Sequence, residues 1–247
     1  MYYGGYGFGY GFFDPTYILI LIGILICAIA SANVNATFRR YQNVASRLGM
    51  TGAETAERIL HMAGIFDVQI LHVSGNLTDH YDPRNKTLSL SDSVYQSRSV
   101  AAVGVAAHEC GHAIQHQVGY FPLIFRGWLV PVANFGSAIS WPLILIGIFL
   151  GYGGSATTSS SLPGILIRIG IWAFSLAVLF QIVTLPVEFN ASHRAMQMLR
   201  DGHILERDEL KKTRKVLVAA ALTYVAGALS AILQLLRILI LTRDDRD

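Results

Sequence analysis

Residues 99–112 read SVAAVGVAAHECGH. A run of small and apolar residues leads directly into two histidines and a glutamate. Such a run suits a buried helix. On a helix, His108 and His112 lie one turn apart on the same face, so both imidazoles can reach one metal ion. Glu109 projects beside them and can take a proton from a metal-activated water. Bound zinc brings the pKa of such a water to about 7, which makes hydroxide available at neutral pH. Polar side chains on so apolar a helix need partners, and a metal supplies them. His108 and His112 are the expected metal pair, and Glu109 is the expected catalytic base.

A catalytic zinc site keeps three protein ligands and one open position. A further histidine six residues after His112 would extend the motif, but Val118 stands there. His116 is two turns from His108, about 11 Å along the axis, too far to close a tight site. The remaining candidates are His61, His72, His80, Glu188, His193 and His203. Glu188 follows a long apolar stretch in LPVEFNAS (185–192). A carboxylate at the mouth of a membrane span marks a candidate site, and a helix-end carboxylate at the headgroups would account for it equally well.

Further out, the chain is built for lipid. Of its 247 residues 53% are hydrophobic and 14% charged, and the mean hydropathy is +0.45. A soluble domain carries about 25% charged residues. Disorder is excluded, because its signature is low hydrophobicity with high net charge. Two cysteines, Cys27 and Cys110, exclude a disulfide scaffold. A net charge of +3, with the basic residues divided between two stretches, gives no footprint for nucleic acid.

Four runs are long enough to cross a bilayer, which takes roughly 20 apolar residues. The expected transmembrane helices are 17–34, 128–150, 165–187 and 216–241. A low-complexity aromatic and glycine tail, 1–16, precedes the first and has no basic region, so it does not read as a cleaved signal peptide. The Gly/Ser loop 151–164 and the tail 1–16 contain no Lys or Arg. Segments 37–127 and 188–215 contain eight and seven. The positive-inside rule puts both basic segments in the cytoplasm, along with the H-E-x-x-H helix and Glu188. Cys110 then faces a reducing compartment and stays a thiol.

Within 37–127, residues 51–63 read as a short helix. Thr51 is its N-cap and Glu54 completes a capping box. Residues 68–73 and 86–90 read as strands, the second set off by the Asp82-Pro83-Arg84-Asn85 turn. Thr87–Ser91, just ahead of the metal helix, is the expected open edge on which an extended peptide would pair. His80 is a candidate to stabilise an oxyanion, although a histidine in such a turn is more often solvated. The alternating charges of 207–215 suit headgroup contact.

Several segments together resemble the YugP-like neutral zinc metallopeptidases, a group of bacterial membrane proteins. They are the aromatic N-terminus with its first span, residues 50–60 (MTGAETAERIL) and 75–84 (GNLTDHYDPR), the HECGH motif, PVEFNAS (186–192) and AAALTYV (219–225). The likeness covers nearly all of the chain. More distantly, the chain is similar to the CAAX-processing and heat-shock-associated membrane metalloproteases. Their gluzincin site takes a glutamate from a later helix, which implies Glu188 as third zinc ligand here. Those relatives carry an aspartate four residues after that glutamate; this chain has Ser192, a hydrogen-bonding group without charge. Asn190 and His193 are its neighbours in sequence.

The resemblance implies a mainly α membrane protein with about four transmembrane helices and a small cytoplasmic zincin-like α+β metalloprotease domain. It implies a multi-pass protein of the bacterial cytoplasmic membrane with its site facing the cytoplasm. The expected activity is a zinc endopeptidase acting on membrane or membrane-proximal proteins. Partners would be the lipid bilayer and a peptide or membrane-protein substrate, with room for a homo-oligomer or a membrane scaffold partner and none for nucleic acid. The rival is a non-catalytic zinc-containing membrane adaptor, although Glu109 has no structural need to be Glu. A transporter or channel fits less well, since the spans hold only Arg168 and Arg237 as charged residues and both lie towards span ends.

Overall fold

The structure is a computed structural model that describes residues 14–151 and 161–244. Most of the expected aromatic tail and of the Gly/Ser loop lies outside the described residues. The chain runs α1 (Tyr17–Tyr41), α2 (Gly52–Met62), β1 (Gln69–Val73), β2 (His80–Asp82), β3 (Thr87–Ser91), α3 (Val100–Gln117), α4 (Phe121–Gly151), α5 (Leu162–Asp201) and α6 (Arg207–Asp244). It is mainly helical with one small sheet. Helices α1, α4, α5 and α6 are each long and apolar enough to cross a membrane.

Each of these four helices outlasts the apolar run that announced it. The segment expected to link the third and fourth spans, 188–215, is almost all helix: α5 continues to Asp201, and α6 starts at Arg207. Hydropathy marks where a bilayer would end, while hydrogen bonding continues until a residue stops it. Here the stop is a short turn at Gly202-His203, where His203 takes a left-handed φ of 50°.

Contacts divide the chain into two compact units. One comprises Ile29–Trp128 with Ile182–Val225. Its core packs Ile59 of α2, Leu88 and Leu90 of β3, Val100 and Val103 of α3, and Leu199 of α5, all fully buried. The α2 start has the complete capping box. Glu54 N–H donates to Thr51 Oγ1 at 3.1 Å, and Thr51 N–H donates to Glu54 Oε2 at 2.8 Å. These bonds satisfy two amides that a helix start leaves without partners.

The sheet has the order β1-β3-β2. β3 is therefore central, parallel to β1 along its whole length and antiparallel to β2 over Thr87–Ser89. This overturns the expectation that Thr87–Ser91 is an open edge. Three of its five residues are hydrogen-bonded on both sides, and Leu88 to Ser91 are buried. The three-residue β2 is too short to show an alternating pattern, so local sequence gave no sign of the strand that covers that edge.

The other unit gathers the chain up to Ala28, Leu129–Gln181 and the residues from Ala226 on. It is held by close helix approach as much as by bulk. A Cβ on Gly136 would come within 2.7 Å of the Ala173 carbonyl oxygen. Small residues at such crossings let apolar helices pack where lipid offers no hydrophobic drive. Its outer faces carry large apolar side chains, Phe149 and Trp172 among them. One charge is buried inside: Arg237 lies 3.7 Å from Asp14 and sits over the Tyr17 ring at 4.3 Å, which ties the end of α6 to the start of α1.

Candidate metal centre

His108 and His112 stand one turn apart on α3, with ring centroids 4.8 Å apart and an edge-to-face tilt of 87°. Glu188 reaches them from α5. Its Oε2 is 3.3 Å from His108 Nε2 and 3.6 Å from His112 Nε2. One ligand atom from each of the three residues lies within 4.8 Å of the others, the only such convergence among the described residues. The side chains are 14%, 12% and 3% exposed.

The motif's glycine makes this approach possible. A Cβ on Gly111 would sit 2.4 Å from the Ala191 carbonyl oxygen and about 3 Å from its carbonyl and α carbons. With hydrogen in that place, α3 lies directly against the α5 backbone one turn past Glu188. Cys110 points away from the ligands. Its Sγ donates to the Ala56 carbonyl of α2 at 3.6 Å, and full burial pushes its thiol pKa up. It is a packing residue, not a ligand.

A second layer of hydrogen bonds holds these side chains in place. Gln115, fully buried, donates through Nε2 to the Val187 carbonyl at 2.8 Å and to Asn190 Oδ1 at 3.0 Å. Its Oε1 must then accept, and it faces His112 Nδ1 at 3.0 Å. A proton is thereby assigned to Nδ1, which leaves His112 Nε2 as the nitrogen that faces Glu188. Asn190 Oδ1 also accepts from Arg194 Nε at 2.8 Å, so the chain of bonds extends along α5. His108 Nδ1 is 3.1 Å from Ser192 Oγ. Ser192 thus meets the His108 ring with a hydroxyl that carries no charge. Gln115→Leu, which keeps the volume and removes the acceptor, is expected to weaken zinc binding by about 10–100-fold in competition with a chelator. Unchanged affinity would show that the second layer orients nothing.

The carboxylates of Glu109 and Glu188 both act on the His112 ring. Burial works against a charged His112, yet the hydrogen bond to Glu188 and the charges of Glu109 and Glu188 outweigh it and raise its pKa. Glu109 itself is 8% exposed. Arg126, at the start of α4, brings Nη1 to 3.5 Å from Glu188 Oε1. The Tyr224 hydroxyl of α6 also faces Glu188, with Glu109 and Arg126 nearby. Two imidazole nitrogens and a carboxylate oxygen, converging on largely buried side chains, fit the donor set of a catalytic zinc ion.

The other candidate histidines do not join this group. His72 pairs with Asp92 at 2.7 Å, and His61 packs on Phe66. His80 Nδ1 bonds the Thr78 carbonyl at 2.9 Å. His116 Nδ1 bonds the Tyr81 hydroxyl at 2.9 Å, which ties β2 to α3. His193 is exposed, and His203 forms the α5–α6 turn. Gln115, Arg126 and Tyr224 had not been singled out. Gln115 carried a usable signal, three residues after His112 on the same helix. Arg126 and Tyr224 come from elements that only folding brings near.

The model of a family described as "Putative neutral zinc metallopeptidase" matches residues 16–243. The chain is also similar to the "Putative membrane protease YugP" of Bacillus subtilis (strain 168). The two are 46% identical over 218 residues, covering 88% of this chain and 92% of that protein. No solved structure matches the chain. With the family model running across nearly its whole length, the chain belongs to that zinc metallopeptidase family.

Proposed function

We propose that the protein is a gluzincin-like zinc endopeptidase of the cytoplasmic membrane, cleaving membrane or membrane-proximal polypeptides at the cytoplasmic face. The observation that carries this reading is the meeting of His108 Nε2, His112 Nε2 and Glu188 Oε2 in one buried pocket, with Glu109 adjoining. The division of Lys and Arg between segments 37–127 and 188–215 supports the cytoplasmic orientation and a small zincin-like part there.

His108, His112 and Glu188 would hold the zinc. When bound, zinc supplies a Lewis acid for the scissile carbonyl and lowers the pKa of the attacking water. Glu109 takes a proton from that water on its carboxylate and passes it to the leaving amine nitrogen. Arg126 and the Tyr224 hydroxyl, both beside Glu188, would turn to charge developing on the carbonyl oxygen. Among the described residues the outer edge of β2 bears no strand, and Tyr81 anchors it to α3. An extended substrate can pair there through backbone bonds that ignore side-chain identity.

Detergent-purified protein is expected to carry about one zinc per chain, as in three-ligand catalytic sites. Glu188→Ala and His112→Ala are each expected to lose it, and chelation should abolish cleavage of a membrane-anchored polypeptide until zinc is restored. Zinc retained in Glu188→Ala would remove that residue from the ligand set. A zinc-loaded protein that cleaves nothing would favour the adaptor.

A further inference from the structure

Away from the metal pocket, two grooves flank one face of α6. On that face Lys211, Arg214, Lys215, Val218 and Leu222 follow one another at helical spacing. Three cations come first and two apolar side chains follow, over about 16 Å of helix axis. The first groove, about 500 Å³, lies against α5; Phe189, Met196 and Leu217 line it, with Arg200 at its rim. The second, about 590 Å³, lies against the end of α1; Asn33, Thr37, Arg40 and Tyr41 line it. Both contain Lys211, Arg214, Val218 and Leu222.

No carboxylate lines either groove. Among the described residues, no acidic group lies within ion-pair distance of Arg40, Lys211, Arg214 or Lys215, while the next lysine, Lys212, pairs with Asp208 at 3.6 Å. Val218 and Leu222 remain 48% and 44% exposed, and Phe189 49%. Unneutralised cations from two helices therefore face one opening, and an uncovered apolar wall runs on from them. Cations gathered between helices, continuous with apolar wall, match the two ends of one kind of molecule, a phosphate headgroup on acyl chains. Neither soluble anions nor bulk hydrocarbon would use both ends.

We propose that the face of α6 from Lys211 to Leu222, with its two flanking grooves, is a binding site for an anionic phospholipid. The phosphate sits among Arg40, Lys211 and Arg214, and the acyl chains lie along Val218 and Leu222. Ser192, which bonds the His108 ring, also lines the first groove, so the lipid would rest behind a metal ligand. The proposal requires these helices to be in a membrane and does not require peptidase activity.

The test is native mass spectrometry of the full chain in neutral detergent, titrated with phosphatidylglycerol or phosphatidylcholine. The wild type should retain phosphatidylglycerol preferentially. Lys211→Ala/Arg214→Ala should reduce that affinity, by about five-fold for each cation removed, and leave phosphatidylcholine binding unchanged. Arg40→Ala, on the other helix, should alone cost about five-fold. Arg84→Ala/Lys86→Ala removes the same charge elsewhere and should change nothing. Equal losses in that control would reduce the effect to net charge and overturn the site. So would an undiminished preference in the Lys211/Arg214 variant, or displacement of the lipid by millimolar inorganic phosphate.

Discussion

Glu109→Gln is expected to keep its zinc and to lose peptide hydrolysis by about 10²–10⁴-fold, the usual worth of a positioned acid–base group. Gln fills the same volume, and Glu109 is not among the three side chains whose donor atoms converge. The amide cannot take a proton from water and return it to an amine, so proton transfer is the step removed. The readouts are metal content and cleavage of a membrane-anchored polypeptide, compared with wild type. Parallel loss of zinc would mean that Glu109 holds the metal rather than serving it. Unchanged cleavage would deny it the role of base.

Gly111→Ala should have an effect of similar size by another route. The new methyl would meet the Ala191 backbone at 2.4 Å, where no rotamer can give way. α3 and α5 must separate, and Glu188 moves with α5. Overpacking of this kind costs about 1–3 kcal/mol of stability. The greater loss is the ligand set, so zinc content should fall well below one per chain. Gly127→Ala is the control, because nothing lies within 4 Å of a Cβ there. A Gly111→Ala protein that folds and binds zinc like wild type would show that the close approach is dispensable.

What the sequence disclosed followed the range of each signal. The helix that carries His108, Glu109 and His112 was legible because these residues interrupt a run of small apolar ones, and helical periodicity alone sets their face. The capping box at Thr51 and Glu54 was legible for the same reason. Glu188 needed the resemblance, since nothing in its own neighbourhood distinguishes a ligand from a helix-end carboxylate. The rank of β3 in its sheet was misread: being central depends on β2, three residues long and joined by register across a turn. The reach of α5 to Asp201 was hidden because polarity returns at Glu188 while the hydrogen-bond ladder continues. Arg126 and Tyr224 were out of range, since nothing nearby in sequence ties them to His108.

Eighty residues separate His108 from Glu188. Between them lie all of α4 and the apolar length of α5. During synthesis the two histidines leave the ribosome long before the carboxylate that completes their set. A half-made chain would therefore have the two imidazoles without the carboxylate that meets them. Only when the third long apolar helix is in place does the third donor arrive. If the proposed site is the working one, its assembly and its activation would be one event, and a truncated copy would lack a complete ligand set.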